Sequence, residues 1–151
     1  MKYCSESVCD TYVLAGKIAD KCIGGEVILL NGDLGAGKTT FTKGLAEALG
    51  ITTVIKSPTF TLMKKYTQGR LPLYHFDLYR VESEEEVYEL GFDDYLENND
   101  GICVIEWNKF SGLNKNVINI NIAYNGETGR TFEVTFSADI EKRFADLSDL
   151  I

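Results

Sequence analysis

The run EVILLNGDLGAGKTTFTKGLAEALG, Glu26 to Gly50, decides the fold. Four apolar residues, Val27 to Leu30, read as a buried strand, and Gly32-Asp33-Leu34-Gly35-Ala36-Gly37-Lys38-Thr39 matches the phosphate-binding loop G-x-x-x-x-G-K-[ST]. Glycines let successive backbone N–H groups converge on an anion, and the helix that follows presents its positive end to the same charge. Lys38 is the candidate for the β- and γ-phosphates, the Thr39 hydroxyl for Mg²⁺, and Thr40 continues the helix start beside them. A bare glycine turn between a strand and a helix is the plainer alternative. The downstream segment decides against it, with Phe41, Leu45, Ala48 and Leu49 at helical spacing and Gly50 where a C-cap belongs.

Outward from that run, composition bounds the answer. The chain has 151 residues, 44% hydrophobic and 25% charged, which suits one globular domain over 1–151. Its N-terminus lacks a signal-peptide apolar core, and no run of 18 apolar residues exists, so a cytosolic protein without a membrane partner is expected. The four cysteines form no C-x-x-C pair, and one histidine cannot complete a zinc pattern. A net charge of −8 disfavours independent binding of DNA or RNA. A local basic group, Lys56, Lys64, Lys65 and Arg70, could touch RNA only if a partner held it in place; a solvated surface is its simpler reading.

Periodicity places the remaining elements. A first helix is expected from Asp10 or Thr11 as N-cap, with Leu14, Ala15, Ile18, Ala19 and Cys22 inward. The stretch Ser5 to Thr11 precedes the first predicted strand, which makes Thr11 a candidate adenine contact. Thr52 to Lys56 reads as a short strand broken by Ser57-Pro58-Thr59. Phe60 to Tyr66 and Leu71 to Leu78 read as a hairpin. Ser83 opens a capping box for a short helix that Gly91 closes, and Asp93 to Glu97 makes another turn. Ile102 to Ile105 is a continuous apolar run of the kind found in parallel strands, ending at Glu106-Trp107. Alternation over Val117 to Tyr124 and Phe132 to Phe136 predicts an antiparallel hairpin, and Ser137 is expected to cap a terminal helix through Ile140, Phe144, Leu147 and Ile151. The fold class is α/β: a phosphate-loop NTPase with a mostly parallel central sheet, antiparallel hairpin additions and helices on both faces.

Mg²⁺ requires oxygen ligands, so an acid beside Thr39 is expected. Glu106 ends the most apolar strand and is the favoured direct or water-bridged partner. Asp77 would then polarise the attacking water or sit in the metal's outer shell, unless it merely caps its strand or pairs with Arg80. His75 reads as a packed strand histidine, and Trp107 as either a nucleotide contact or a core aromatic. The run Asp77-Leu78-Tyr79-Arg80 is not D-x-x-G, and Asn108-Lys109-Phe110-Ser111 lacks the aspartate that reads guanine, so ATP is the expected nucleotide. A small-molecule kinase and a nucleotide-gated binding module share the loop, although the arginines are too dispersed for a kinase lid.

In chain order, GDLGAGKTT, KSPTFTL (Lys56 to Leu62), YHFDLYR (Tyr74 to Arg80), ELGFDDYL (Glu89 to Leu96) and IEW (Ile105 to Trp107) resemble the TsaE family, also described as the YjeE/YdiB type. That resemblance implies a phosphate-loop ATPase of tRNA threonylcarbamoyladenosine biosynthesis. Slow ATP hydrolysis would license or reset the TsaB–TsaD pair, which modifies adenosine 37 of ANN-decoding tRNAs; this chain would meet the tRNA only indirectly. It further implies phosphate contacts from Gly32 to Thr39, Mg²⁺ on Thr39 and Glu106, and hydrolysis dependent on Asp77 within H-x-D. Ser57 and Thr59 would belong to a switch-like loop near the γ-phosphate, and Trp107 would be the aromatic beside the acid. After Trp107 the chain departs from the family pattern, with Asn108-Lys109, and no acidic contact is carried over there.

Overall fold

The computed structural model describes residues 1–150. Seven strands form one sheet: β1 (Lys2–Ser5), β2 (Glu26–Asn31), β3 (Met63–Tyr66), β4 (Leu73–Asp77), β5 (Ile102–Glu106), β6 (Val117–Asn125) and β7 (Gly129–Phe136), in the order β1-β7-β6-β2-β5-β4-β3. The four central strands, β6-β2-β5-β4, are parallel, while β7, β1 and β3 add antiparallel at the flanks. The expected α/β phosphate-loop architecture is therefore present. β5 is buried at every residue, as a parallel strand covered on both faces requires.

Helices α1 (Val8–Lys21) and α2 (Lys38–Ala48) cover one face, where Leu14, Ile18, Phe41 and Leu45 pack on Ile28, Leu30, Val104, Ile118 and Phe132. The short α3 (Glu84–Glu89) and α4 (Asp93–Glu97) close the other, with Val87 and Phe92 over Phe76, Cys103 and Ile105. Each such side chain, fully buried, contributes about 1.5–3 kcal/mol, so both layers hold the sheet in place. Ser83 caps α3 as read, accepting from Glu86 N, and Glu86 reaches back to Glu82 N.

Several local expectations are corrected. α1 begins earlier than expected: Ser7, not Asp10 or Thr11, is the N-cap, accepting from Asp10 N, while the Asp10 carboxylate takes Glu6 N. A serine hydroxyl three residues ahead outcompetes because the aspartate serves better in the first turn. On α2 the inward small residue is Ala46 rather than Ala48, which is exposed. Thr52 to Lys56 is not a strand: the place beside β4 is taken by β3, and the segment pairs with no strand of the sheet. The segment is fastened instead by Thr53 Oγ1 to Gln68 at 2.7 Å and by Arg70 N to Leu49 O at 2.7 Å. The first hairpin arm is shorter than read, because Phe60 lies 86% exposed and pairing starts only at Met63.

The terminal helix is replaced by two 3₁₀ turns, Glu141–Phe144 and Leu147–Asp149, and Ile151 lies outside the described residues. Ile140, Phe144 and Leu147 still face the core. Side chains pin the segment instead of a continuous ladder: Phe144 stacks on Phe136 with centroids 4.6 Å apart, Lys21 pairs with Asp146 at 2.6 Å, and Arg143 pairs with the buried Glu26. Glu26 also accepts from Ile23 and Gly24 N, so the strand that feeds the loop is tied to the end of α1. No helix among the described residues is long and apolar enough to cross a membrane.

Cys22 and Cys103 are buried and Cys4 and Cys9 exposed, with burial pushing both inner thiols up to about 12. Maleimide at neutral pH is expected to label Cys4 and Cys9 in the native protein and all four cysteines only in denaturant, as read by mass spectrometry. Replacing Arg143 with Met leaves the Glu26 carboxylate with backbone donors alone; a loss of about 1–3 kcal/mol in urea unfolding is expected.

Candidate functional site

In a parallel sheet, chain reversals gather at the carboxyl ends of the strands, and ligands bind there. The loop after β2 turns through Gly32 to Gly37. A Cβ on Gly32 would come within 2.8 Å of Ile122 O, so close packing requires that glycine. Gly37 has φ 112° and starts α2 with no side-chain cap, leaving the first N–H groups of the helix unclaimed by any cap and facing the mouth of the loop. Inside the loop, the Lys38 ammonium donates to Gly32 O and to Asp33 O, the latter at 3.3 Å. It also lies 4.1 Å from the centre of the Trp107 ring. Burial pulls the Lys38 pKa below its usual value, against the opposing carboxylates of Glu106, Asp77 and Asp33.

Two acids arrive by register. β4 and β5 pair so that Asp77 lies opposite Glu106, both on the face covered by α2. Asp77 is 4% exposed and Glu106 3%, and both line a cavity of about 240 Å³ together with Leu34, Gly35, Gly37, Lys38, Thr39, Thr40, Ser57, Thr59 and Trp107. The structure thus brings together nearly every residue singled out from the sequence. Ala36 lies beneath, buried, with its N–H on Asp33 O at 3.0 Å.

Asp77 is not paired with Arg80. One of its oxygens accepts from Ser57 Oγ at 3.1 Å and Thr59 Oγ1 at 3.0 Å, and the other accepts from Tyr79 N at 3.0 Å. The loop after Lys56 is therefore fastened to the end of β4 by a buried carboxylate. Leu62, at φ 68°, accepts from Asp77 N and closes that loop. Trp107 also takes a left-handed backbone, φ 56°, and its ring meets Tyr79 edge-on at 5.0 Å. Two bulky residues held at positive φ around one cavity are strain that the surrounding contacts maintain.

A second, smaller cavity of about 120 Å³ adjoins the first across Gly35, Gly37 and Thr40, and Thr11, Ser5 and Ser7 line its far side. Thr11 is thus beside the loop, bonded to Ser5 at 2.8 Å. Arg130 and Thr128 complete it; neither carries a motif, because only the folding of the β6–β7 hairpin brings them there. Arg130 Nε donates to Ala36 O at 2.9 Å, and Tyr124 OH donates to Leu34 O at 3.0 Å, so this hairpin braces the outer wall of the phosphate loop. Arg70, Lys64 and Lys65, three of the four basic residues grouped from the sequence, do not share one face. Arg70 caps the end of α1 through Ala19 O at 2.6 Å and Cys22 O at 3.1 Å, and Lys64 and Lys65 lie over different rings, Tyr66 and Tyr95. Alternation along β3 is the reason: neighbouring residues point to opposite faces.

Among the described residues no three His, Cys, Asp or Glu side chains could hold a metal by themselves. The oxygen donors that line the cavity, the Asp77 and Glu106 carboxylates and the Thr39 hydroxyl among them, would suit a hard cation that keeps several waters.

The model of a family described as "Threonylcarbamoyl adenosine biosynthesis protein TsaE" matches residues 5–132. The chain is 50% identical over 116 residues to tRNA threonylcarbamoyladenosine biosynthesis protein TsaE of Bacillus subtilis, covering 76% of this chain and 70% of that protein. It is 49% identical over 115 residues to the protein of the same name from a Nostoc species, covering 74% and 70%. The crystal structure of YdiB from Bacillus subtilis superposes with a TM-score of 0.79 at 34% identity, over 99% of this chain and 94% of that one.

Removing both loop hydroxyls, as S57A/T59V, strips two donors from the buried Asp77 carboxylate. Urea unfolding is expected to show a loss of about 1–3 kcal/mol, whereas an unchanged midpoint would mean the loop is not held there.

Proposed function

From the premise that this chain belongs to the TsaE family of threonylcarbamoyl adenosine biosynthesis, we propose an Mg²⁺-dependent ATPase that serves threonylcarbamoylation of adenosine 37 in ANN-decoding tRNAs as an accessory subunit of the TsaB–TsaD transferase. The observation that carries the catalytic part is the convergence of Lys38, Thr39, Asp77 and Glu106 on one cavity. A passive phosphate cradle needs the loop and the helix end but no buried carboxylates opposite them.

The loop N–H groups and Lys38 bind the β- and γ-phosphates, which replace the Gly32 carbonyl as the partner of the ammonium. Mg²⁺, held by Thr39 and Glu106, would neutralise charge developing on the phosphates. Asp77 holds Ser57 and Thr59 over the end of the nucleotide site, so that this loop can respond to the γ-phosphate while the carboxylate orients water. The smaller cavity beside Thr11 would take the adenosine end.

A kinase lid finds no support. Arg70 and Arg143 are spent on the α1 end and on Glu26, and Arg130 braces the loop from outside. Basal turnover should be slow: these three guanidinium groups are engaged elsewhere, and the fourth, Arg80, lies over the exposed Phe60 ring, 5.2 Å from its centre, and does not line the cavity, so a partner could supply the missing charge.

ATP hydrolysis by the purified chain, measured with and without TsaB–TsaD, tests the reading; absence of both stimulation and complex formation would remove the partner claim. K38A is expected to abolish nucleotide binding. E106A is expected to keep nucleotide binding but lose turnover on the order of 100-fold, together with its Mg²⁺ dependence.

A further inference from the structure

His75 is the only histidine in the chain, and its side chain is completely buried. It stands two residues before Asp77 on β4, opposite Val104, and Val104 stands two residues before Glu106 on β5. Period-two alternation therefore puts His75, Asp77 and Glu106 on one face of the sheet. The His75 Nε2 and Glu106 Oε2 atoms are 2.6 Å apart. Glu106, as a carboxylate, only accepts, so Nε2 carries the proton and donates. The other ring nitrogen, Nδ1, is buried with no protein partner among the described residues.

A histidine serving packing alone would satisfy both nitrogens or be replaced by an apolar residue of similar size. This one places a ring nitrogen on one oxygen of one carboxylate, at 2.6 Å. The carboxylate is the one at the phosphate loop. We propose that His75 is a positioning residue: it clamps Oε2 of Glu106, fixing the rotamer and leaving Oε1 as the oxygen available to the cation that accompanies the nucleotide. This rests on the reading of Glu106 as the acid that meets the metal. The logic is that of an outer-shell partner orienting a ligand, whose loss weakens metal affinity about 10–100-fold. Phosphate binding needs no such clamp, because it rests on the loop N–H groups and Lys38, and the His75 hydrogen bond goes to Glu106 rather than to either of them.

The test uses the full chain, ADP, and Mn²⁺ as the probe ion, with bound Mn²⁺ followed by electron paramagnetic resonance and ADP affinity in EDTA measured separately. H75L removes the donor. H75Q returns an N–H near the position of Nε2, and H75N carries an equally polar amide that falls short of Glu106. Expected are a 10–100-fold weaker Mn²⁺ affinity in H75L and H75N, substantial recovery in H75Q, and ADP affinity in EDTA within about twofold of the parent in all three. In an E106A background, H75L should weaken Mn²⁺ no further, since the clamp acts only through that carboxylate. If H75L does not fold, the contrast of H75Q with H75N decides alone, both being polar and similarly costly to bury. Unchanged Mn²⁺ affinity in H75L or H75N, equal affinities for H75Q and H75N, or full additivity with E106A overturns the clamp. If E106A itself leaves Mn²⁺ affinity unchanged, the metal reading of Glu106 falls and the clamp falls with it.

Discussion

Everything at the site depends on the register of three adjacent parallel strands. β2 pairs with β5 so that Leu30 lies opposite Glu106, and β5 pairs with β4 so that Glu106 lies opposite Asp77. A slip of one residue in either pairing would turn an acid to the other face, away from the phosphate loop. The register is secured by apolar side chains rather than by the acids. Val104, Ile28 and Leu73 are fully buried under α1 and α2, and Phe76, Cys103 and Ile105 under α3 and α4. Hydrophobic burial holds the strands, and the polar groups ride at their ends.

That division explains how the cavity can tolerate its own cost. A buried ammonium, two buried carboxylates and two left-handed bulky residues are individually unfavourable. The three charged groups are each offset by a specific contact: Lys38 by loop carbonyls and the Trp107 ring, Asp77 by two hydroxyls and an N–H, Glu106 by His75. On the function proposed above, a ligand carrying phosphates and a divalent ion would relieve several of these at once.

The flanking additions serve the same centre. The β6–β7 hairpin extends the sheet and also holds the loop from outside through Tyr124 and Arg130. The 3₁₀ turns fasten the start of β2 through Arg143 and Glu26. Loop geometry at the carboxyl end of β2 is thus supported from both ends of the strand and from the neighbouring hairpin.

By itself the sequence determined the strand–loop–helix at Glu26 to Gly50, the apolar strand ending at Glu106, the capping box at Ser83 and the alternating β6–β7 pair. Each of these is a local pattern whose period or turn chemistry has one structural solution. Its five ordered motifs also led to the family; four of them reach the cavity, three from the ends of central strands, while Glu89 to Leu96 builds the layer on the opposite face. Only the tertiary structure decided what depends on partners distant in sequence. Thr52 to Lys56 had the composition of a strand, but β3 takes the place beside β4 and the segment joins no ladder. The terminal segment had helical spacing yet settled into 3₁₀ turns pinned by Phe136, Glu26 and Lys21. Arg130 came to the phosphate loop from 94 residues away in sequence. His75 looked like a packed strand residue, and its bond to Glu106 became visible only when two strands 31 residues apart were laid side by side. Periodicity reports which face a residue takes; it does not report what waits on that face.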